Sequence, residues 1–197
     1  MVFPKAILFD MDGTLTEPYL DYALIKRDLG IDPDHPILES LAKMTSSQRA
    51  EAEIILHRHE NAAAEASSLN PGCEELLHWL KHQHVPTALV TRNTRKSVRT
   101  VFDLHGLHFE VCVTREDGKF KPDPAPLLLA CEKLGVAATD SWMVGDSIHD
   151  IDAAANAQIP SVWISHNLPR PFMTEPTITC PDLHQLTLLL KRCLNQG

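Results

Sequence analysis

Two aspartates separated by one residue, in Asp10-Met-Asp12-Gly13-Thr14, are the groups of this sequence best placed to do chemistry. Carboxylates spaced this way can face one site, and at about 4 Å with an effective dielectric near 20 they repel by roughly 4 kcal/mol. Such a pair suits a bound cation, or a division of roles in which one acid stays ionised while the other exchanges a proton. Gly13 lets the backbone approach a ligand closely, and the amides beside it can cradle a phosphate. Taken alone, the fragment also fits an ordinary Asp-Gly turn bearing a solvated acid.

Four more groups extend the pattern: the hydroxyl of Thr91, the ammonium of Lys121 in Lys119-Phe-Lys-Pro-Asp-Pro124, and the acids Asp146 and Asp150 in Gly145-Asp-Ser-Ile-His-Asp150. Singly, each has a plain reading as a strand terminus, a surface charge or a helix cap. Arg92 and Asn93 follow Thr91 directly, so their amides or side chains can touch phosphate or substrate, although Arg92 could equally pair with an acid. The histidines form no metal-ligand motif, and His57 and His59, two apart, are expected to face solvent.

The elements that must position these groups are legible in the apolar patterning. Ala6–Asp10 is a continuous apolar run ending in acid, as in a strand buried on both faces of a parallel sheet. Val85–Thr91, Phe109–Val113, Ser141–Gly145 and Ile159–Ile164 repeat it, separated by expected helices at Cys73–His82, Lys96–Leu104, Pro124–Leu134 and Ser147–Ala157. Alternation of this kind predicts right-handed βαβ crossovers and an α/β fold with a parallel sheet. The candidate groups all lie at or just beyond strand ends, and in a parallel sheet those ends share one edge.

Between Thr16 and Asn70 the pattern changes to a charged, alanine-rich stretch with helical spacing, expected as helices at Ala23–Asp28, Ile37–Lys43 and Gln48–Ser67. This predicts a helical cap of residues 17–69 inserted after the first strand of a core made of residues 1–16 and 70–197. Lys26, Arg27, Lys43, Arg49 and Arg58 could present a cation from it but read first as solvated helix charges. After Ile164 comes a proline-dotted loop and then a terminal helix over Asp182–Leu194. Trp79, Trp142 and Trp163 read as packing.

With 18 basic and 26 acidic residues the formal charge is -8, which supplies no broad positive field for nucleic acid but leaves room for a small anion at a local cation or metal. Five scattered cysteines without a Cys-x-x-Cys spacing read as reduced thiols of a cytoplasmic protein. The run before Asp10 is too short and too soon acidic for a secretory signal, and no apolar stretch reaches the roughly 18 residues of a membrane span. Oligomeric state is not legible.

Taken together and in this order, Asp10-Met-Asp-Gly-Thr14, Thr91, Lys121 and Gly145-Asp-Ser-Ile-His-Asp150 resemble the four motifs of the haloacid dehalogenase-like (HAD) hydrolase superfamily. Its phosphoglycolate phosphatase-like and β-phosphoglucomutase-like members, which carry a helical cap, are the most similar. The resemblance implies a Rossmann-like three-layer core and a phosphatase of small phosphorylated metabolites, phosphoglycolate or a sugar phosphate among them. It implies Asp10 as nucleophile, Asp12 as acid and base, and Thr91 and Lys121 on the phosphoryl oxygens. Gly13, Arg92 and Asn93 would lie against substrate. Mg²⁺ would sit between the Asp10 carboxylate, the Asp12 carbonyl and Asp146, with Asp150 ligating through water or steadying the others. A haloalkanoic acid dehalogenase is disfavoured, because such members lack an acid where this chain has Asp12. A phosphomutase using the same residues and a non-catalytic binding protein of the same fold are the alternatives.

Overall fold

A computed structural model describes residues 2–195 of the chain; residues 1, 196 and 197 at the ends of the expected core lie outside them. Six parallel strands form one sheet: β1 (Ala6–Phe9), β2 (Thr87–Val90), β3 (Val111–Val113), β4 (Ser141–Gly145), β5 (Ser161–Ile164) and β6 (Ile178–Cys180). Their order is β3-β2-β1-β4-β5-β6, so the chain reverses its direction of winding between β1 and β4, the place where such sheets open a crevice. The register places Phe9 beside Leu89 on one side and Val144 on the other, which levels the ends of the three central strands.

Alternation along each strand divides the core into two layers of side chains. Ile7, Phe9, Leu89 and Val144 pack with α4 (Cys73–His82), α5 (Arg95–His105) and α8 (Leu183–Leu194). Leu8, Ala88, Val90 and Met143 pack with α6 (Ala125–Leu134) and α7 (Ile148–Ala157) on the opposite face. The expected three-layer α/β architecture is therefore present. The central strands are mainly apolar because both faces are covered, and Phe9, Leu8 and Ile7 are fully buried.

One strand contradicts the expectation of five. β6, read from sequence as part of a proline-dotted loop, pairs with β5 through Val162 beside Ile178 and Ile164 beside Cys180. It is three residues long, lies at the sheet edge and has one buried residue, so it lacks the apolar run that marks a central strand. Elsewhere the expected elements occur with ends shifted by one or two residues, and the α4 and β4 bounds coincide with those expected.

Between β1 and α4 lie α1 (Tyr22–Leu29), α2 (Ile37–Ala42) and α3 (Ser46–Glu65). Their inward faces form a separate apolar cluster of Ile25, Ile31, Ile37, Leu41, Ala52 and Leu56. Local signals delimit them: Asp21 caps α1 by accepting from the Leu24 amide at 2.9 Å, Gly30 ends it at φ 64°, and Thr45 with Gln48 makes a capping box for α3. The two chain segments that join these helices to the sheet run side by side. Glu17 donates to the Ser68 carbonyl at 2.9 Å and Asn70 to that of Leu15 at 2.8 Å. No helix among the described residues is long and apolar enough to cross a membrane.

Candidate active site

Every acid singled out in the sequence comes to the carboxyl edge of the sheet. Asp10 follows β1, with its amide donating to the Val144 carbonyl at 2.9 Å, and Asp146 follows β4. Asp150 sits in the first turn of α7, fully buried, where its Oδ2 accepts from the Ser147 amide at 3.0 Å and the Ser147 hydroxyl at 2.7 Å. That capping box turns its other oxygen towards the sheet.

Lys121 is the hub of the arrangement. Only 1% exposed, its ammonium donates to Asp10 Oδ1 and to Asp150 Oδ1, both at 2.6 Å. A buried ammonium is costly unless paired, and two carboxylates offset that cost. Those carboxylates hold the Lys121 pKa above its ordinary value even though burial opposes the charge.

One lysine does not balance the acids. Asp10, Asp146 and Asp150 offer oxygens that all lie within 4.8 Å of one another. Burial first, then the negative charge of Asp150 and Asp10, pushes the Asp146 carboxyl up to about 8. Burial pushes Asp10 up to about 7, with Lys121 acting against it and Asp150 acting with it. The second oxygens of Asp10 and Asp146 accept no hydrogen bond among the described residues. Three hard oxygen donors short of positive charge fit a small divalent cation, which would relieve the repulsion that raises both acids.

Asp12 faces a different neighbourhood. Its Oδ2 accepts from the Asn93 side-chain amide, and burial, opposed by that bond, pushes its carboxyl up to about 6. Asn93 in turn donates its backbone amide to Thr91 Oγ1 at 3.2 Å, so the turn after β2 fixes the hydroxyl and the amide together. Thr91 and Asn93 are both buried. Arg92 takes the alternative that pairing with an acid offered. Its guanidinium grips both oxygens of Glu39, from α2, at 2.9 and 3.0 Å, donates to the Lys121 carbonyl and lies 5.0 Å from the Phe120 ring centre.

Gly13 has φ of 80°, and a Cβ there would meet Asp146 Oδ2 at 2.2 Å. The loop it belongs to is held by residues that sequence reasoning passed over. The buried Asn70 amide reaches the carbonyls of Gly13 at 3.1 Å, Thr14 at 2.9 Å and Thr16 at 2.9 Å, while His166 Nε2 contacts the Gly13 carbonyl at 2.6 Å. In the sequence, Asn70 with Pro71 and Gly72 reads only as the start of the helix that follows, and His166 carries no signal. Gly13→Ala is expected to push Asp146 aside and force a left-handed alanine, destabilising the fold by about 1–3 kcal/mol in a urea titration.

Above the sheet edge, α1–α3 enclose a cavity of about 510 Å³ whose lining includes Asp10, Asp12, Thr91, Lys121 and Asp146. Of the five cations considered on these helices, Lys26 lines it, whereas Arg49 pairs with Glu53, and Arg27 and Arg58 with Asp28. One expectation needs correction. His59 is not solvent-facing: its side chain is 17% exposed and its Nε2 lies 2.9 Å from Asp28 Oδ2, joining α3 to α1. On the packed side of α3, Glu60 is 5% exposed and forms an ion pair with Arg115. Trp142 and Trp163 pack as expected, the latter donating its indole N–H to the Asp146 carbonyl at 2.9 Å. All five cysteines are free.

The family model for haloacid dehalogenase-like hydrolases matches residues 30–164. A phosphoglycolate phosphatase of Pseudomonas syringae pv. tomato is 30% identical over 222 residues, covering 93% of this chain and 78% of its own. A haloacid dehalogenase-like hydrolase domain-containing protein of Arabidopsis thaliana is 29% identical over 161 residues; the match takes in 74% of this chain but 64% of that protein's length. Among solved structures, a hydrolase from Pseudomonas syringae superposes with a TM-score of 0.79 at 22% identity, over 95% of this chain and 98% of that one. The fold, the acids gathered at its sheet edge and the matched span agree, and the chain belongs to the haloacid dehalogenase-like hydrolase family.

Proposed function

We propose that this protein is a Mg²⁺-dependent phosphatase that hydrolyses a small phosphomonoester through an aspartyl-phosphate on Asp10, with residues 17–69 as a cap over a core of residues 1–16 and 70–197. The observation that carries the reading is Lys121, which bridges Asp10 and Asp150 at 2.6 Å beside the unpaired oxygens of Asp10 and Asp146. Relatives named phosphoglycolate phosphatase support the same class of substrate. The free thiols suit a cytoplasmic enzyme.

Asp10 attacks phosphorus with one carboxylate oxygen, and the bond from phosphorus to the ester oxygen breaks. Asp12 gives that oxygen its proton, a role suited to an acid pushed up to about 6 and held by the Asn93 amide. Now ionised, Asp12 takes a proton from water as the water attacks phosphorus. Asp10 leaves as a carboxylate and free phosphate forms. Lys121 and the Thr91 hydroxyl hold phosphoryl oxygens, and the amides around Gly13 add donors. Arg92 and Asn93 complete the substrate wall, Asn93 by orienting Asp12. Asp10, Asp146, the Asp12 carbonyl and, directly or through water, Asp150 would hold Mg²⁺, which when bound supplies positive charge to the phosphoryl oxygens.

A phosphate-release panel of small phosphomonoesters, run in Mg²⁺ and in EDTA, tests this. Release is expected in Mg²⁺, to vanish in EDTA and to return on adding the metal. Mg²⁺ at about 100 times its Kd should also stabilise the fold by about 2.7 kcal/mol. Release undiminished by EDTA would remove the metal, and isomerised ester in excess of free phosphate would make the enzyme a mutase.

A further inference from the structure

Three of the four lysines and arginines lining the cavity are held by carboxylates. Arg92 grips Glu39 of α2, and Arg115 donates to both oxygens of Glu60 of α3, one of them at 2.9 Å. Arg115 is fixed from behind as well, donating to the Arg92 carbonyl at 3.2 Å. Lys121 is shared by Asp10 and Asp150. Of the lysines and arginines lining the cavity only Lys26 has no carboxylate partner among the described residues, and its ammonium donates to the Pro33 carbonyl. Beyond the phosphoryl end, the segment between β1 and α4 contributes Leu20, Ile37, Leu38 and Leu56 to the lining, together with the acids Asp34 and Glu60. A carboxylate on the leaving group would meet acids and apolar walls, and no guanidinium there is free of a carboxylate.

We propose that this pocket selects phosphomonoesters whose leaving alcohol is uncharged and partly apolar, and that Glu60, by occupying Arg115, is the residue that refuses a carboxylated alcohol. This rests on the phosphatase reading and narrows it, and it sets the chain apart from an enzyme built for phosphoglycolate.

The test compares kcat/KM for phosphoglycolate with that for its isosteric carboxamide, which keeps the shape and loses the carboxylate's charge, using the full chain in Mg²⁺. Wild type is expected to favour the carboxamide by about tenfold or more. Glu60→Gln keeps an acceptor for Arg115 but releases its positive charge, and should shrink that ratio by about tenfold. Any effect of Glu60 on proton transfer by Asp12 cancels in the ratio, because both esters use that step. Preference for phosphoglycolate in wild type overturns the inference, as does a ratio unmoved by Glu60→Gln; loss of such a preference in Lys26→Ala would name Lys26 as the carboxylate's receptor instead. If Glu60→Gln does not fold, the wild-type ratio decides alone. Phosphate release from neither ester, nor from any other in the panel, defeats the phosphatase reading and takes this one with it.

Discussion

Asp10→Asn is expected to lower kcat for phosphate release by about four to six orders of magnitude, because the amide cannot attack phosphorus and no neighbouring group replaces it. Lys121 and Asp150 are engaged with each other and Asp12 is tied to Asn93, so none is free to substitute as nucleophile. The same substitution should not cost stability in metal-free protein above neutral pH. A carboxyl pushed up to about 7 from an ordinary 3.8 keeps in the folded state a proton that the unfolded chain has released. Stability from this group is therefore greatest below about 4 and falls as pH rises to about 7, and the amide escapes that fall. Phosphate release and melting temperature at pH 8 in EDTA should move apart: activity gone, Tm equal or higher. An inactive variant with a collapsed Tm would instead make Asp10 a structural anchor, and retained activity would end its assignment as nucleophile.

Lys121→Met should fail in both respects. Methionine fills much of the same volume, but it leaves Asp10 and the fully buried Asp150 facing each other without the ammonium that both hold at 2.6 Å. Breaking a buried ion pair by removing one partner costs about 3–5 kcal/mol. Loss of a charge aimed at the phosphoryl oxygens should lower kcat by a further factor on the order of 10²–10³ in the folded fraction. Urea unfolding and single-turnover phosphate release measure the two separately. Saturating Mg²⁺ should recover part of the stability but not the rate, since a cation can screen the acids without standing where Lys121 stands. Near wild-type rates in Lys121→Met would show that this ammonium is a structural ion pair only.

How much of this was visible beforehand depended on whether the signal was local. Asp10, Thr91, Lys121, Asp146 and Asp150 could be picked out because each follows an apolar run or lies beside a helix start, and parallel strands carry such positions to one edge. The Ser141–Gly145 strand and the Cys73–His82 helix were placed to the residue because a buried run bounded by breakers and a Pro-Gly start leave little freedom. β6 escaped because three residues at an edge need no apolar run. Asn70 and His166 escaped because holding a loop by its carbonyls requires only an amide or ring nitrogen at the right point in space.

The sequence by itself determined the α/β alternation, the helical insertion and the set of acids and the lysine that meet at the sheet edge, since periodicity and strand ends are properties of neighbouring residues. Only the tertiary structure decided what each charge is spent on. Lys121 joins Asp10 to Asp150 across 111 and 29 residues, Asn93 finds Asp12 across 81, and Arg92 and Arg115 are taken up by Glu39 and Glu60 of the insertion. Such pairings depend on distance in space and on exclusion of water, neither of which is written in the order of residues.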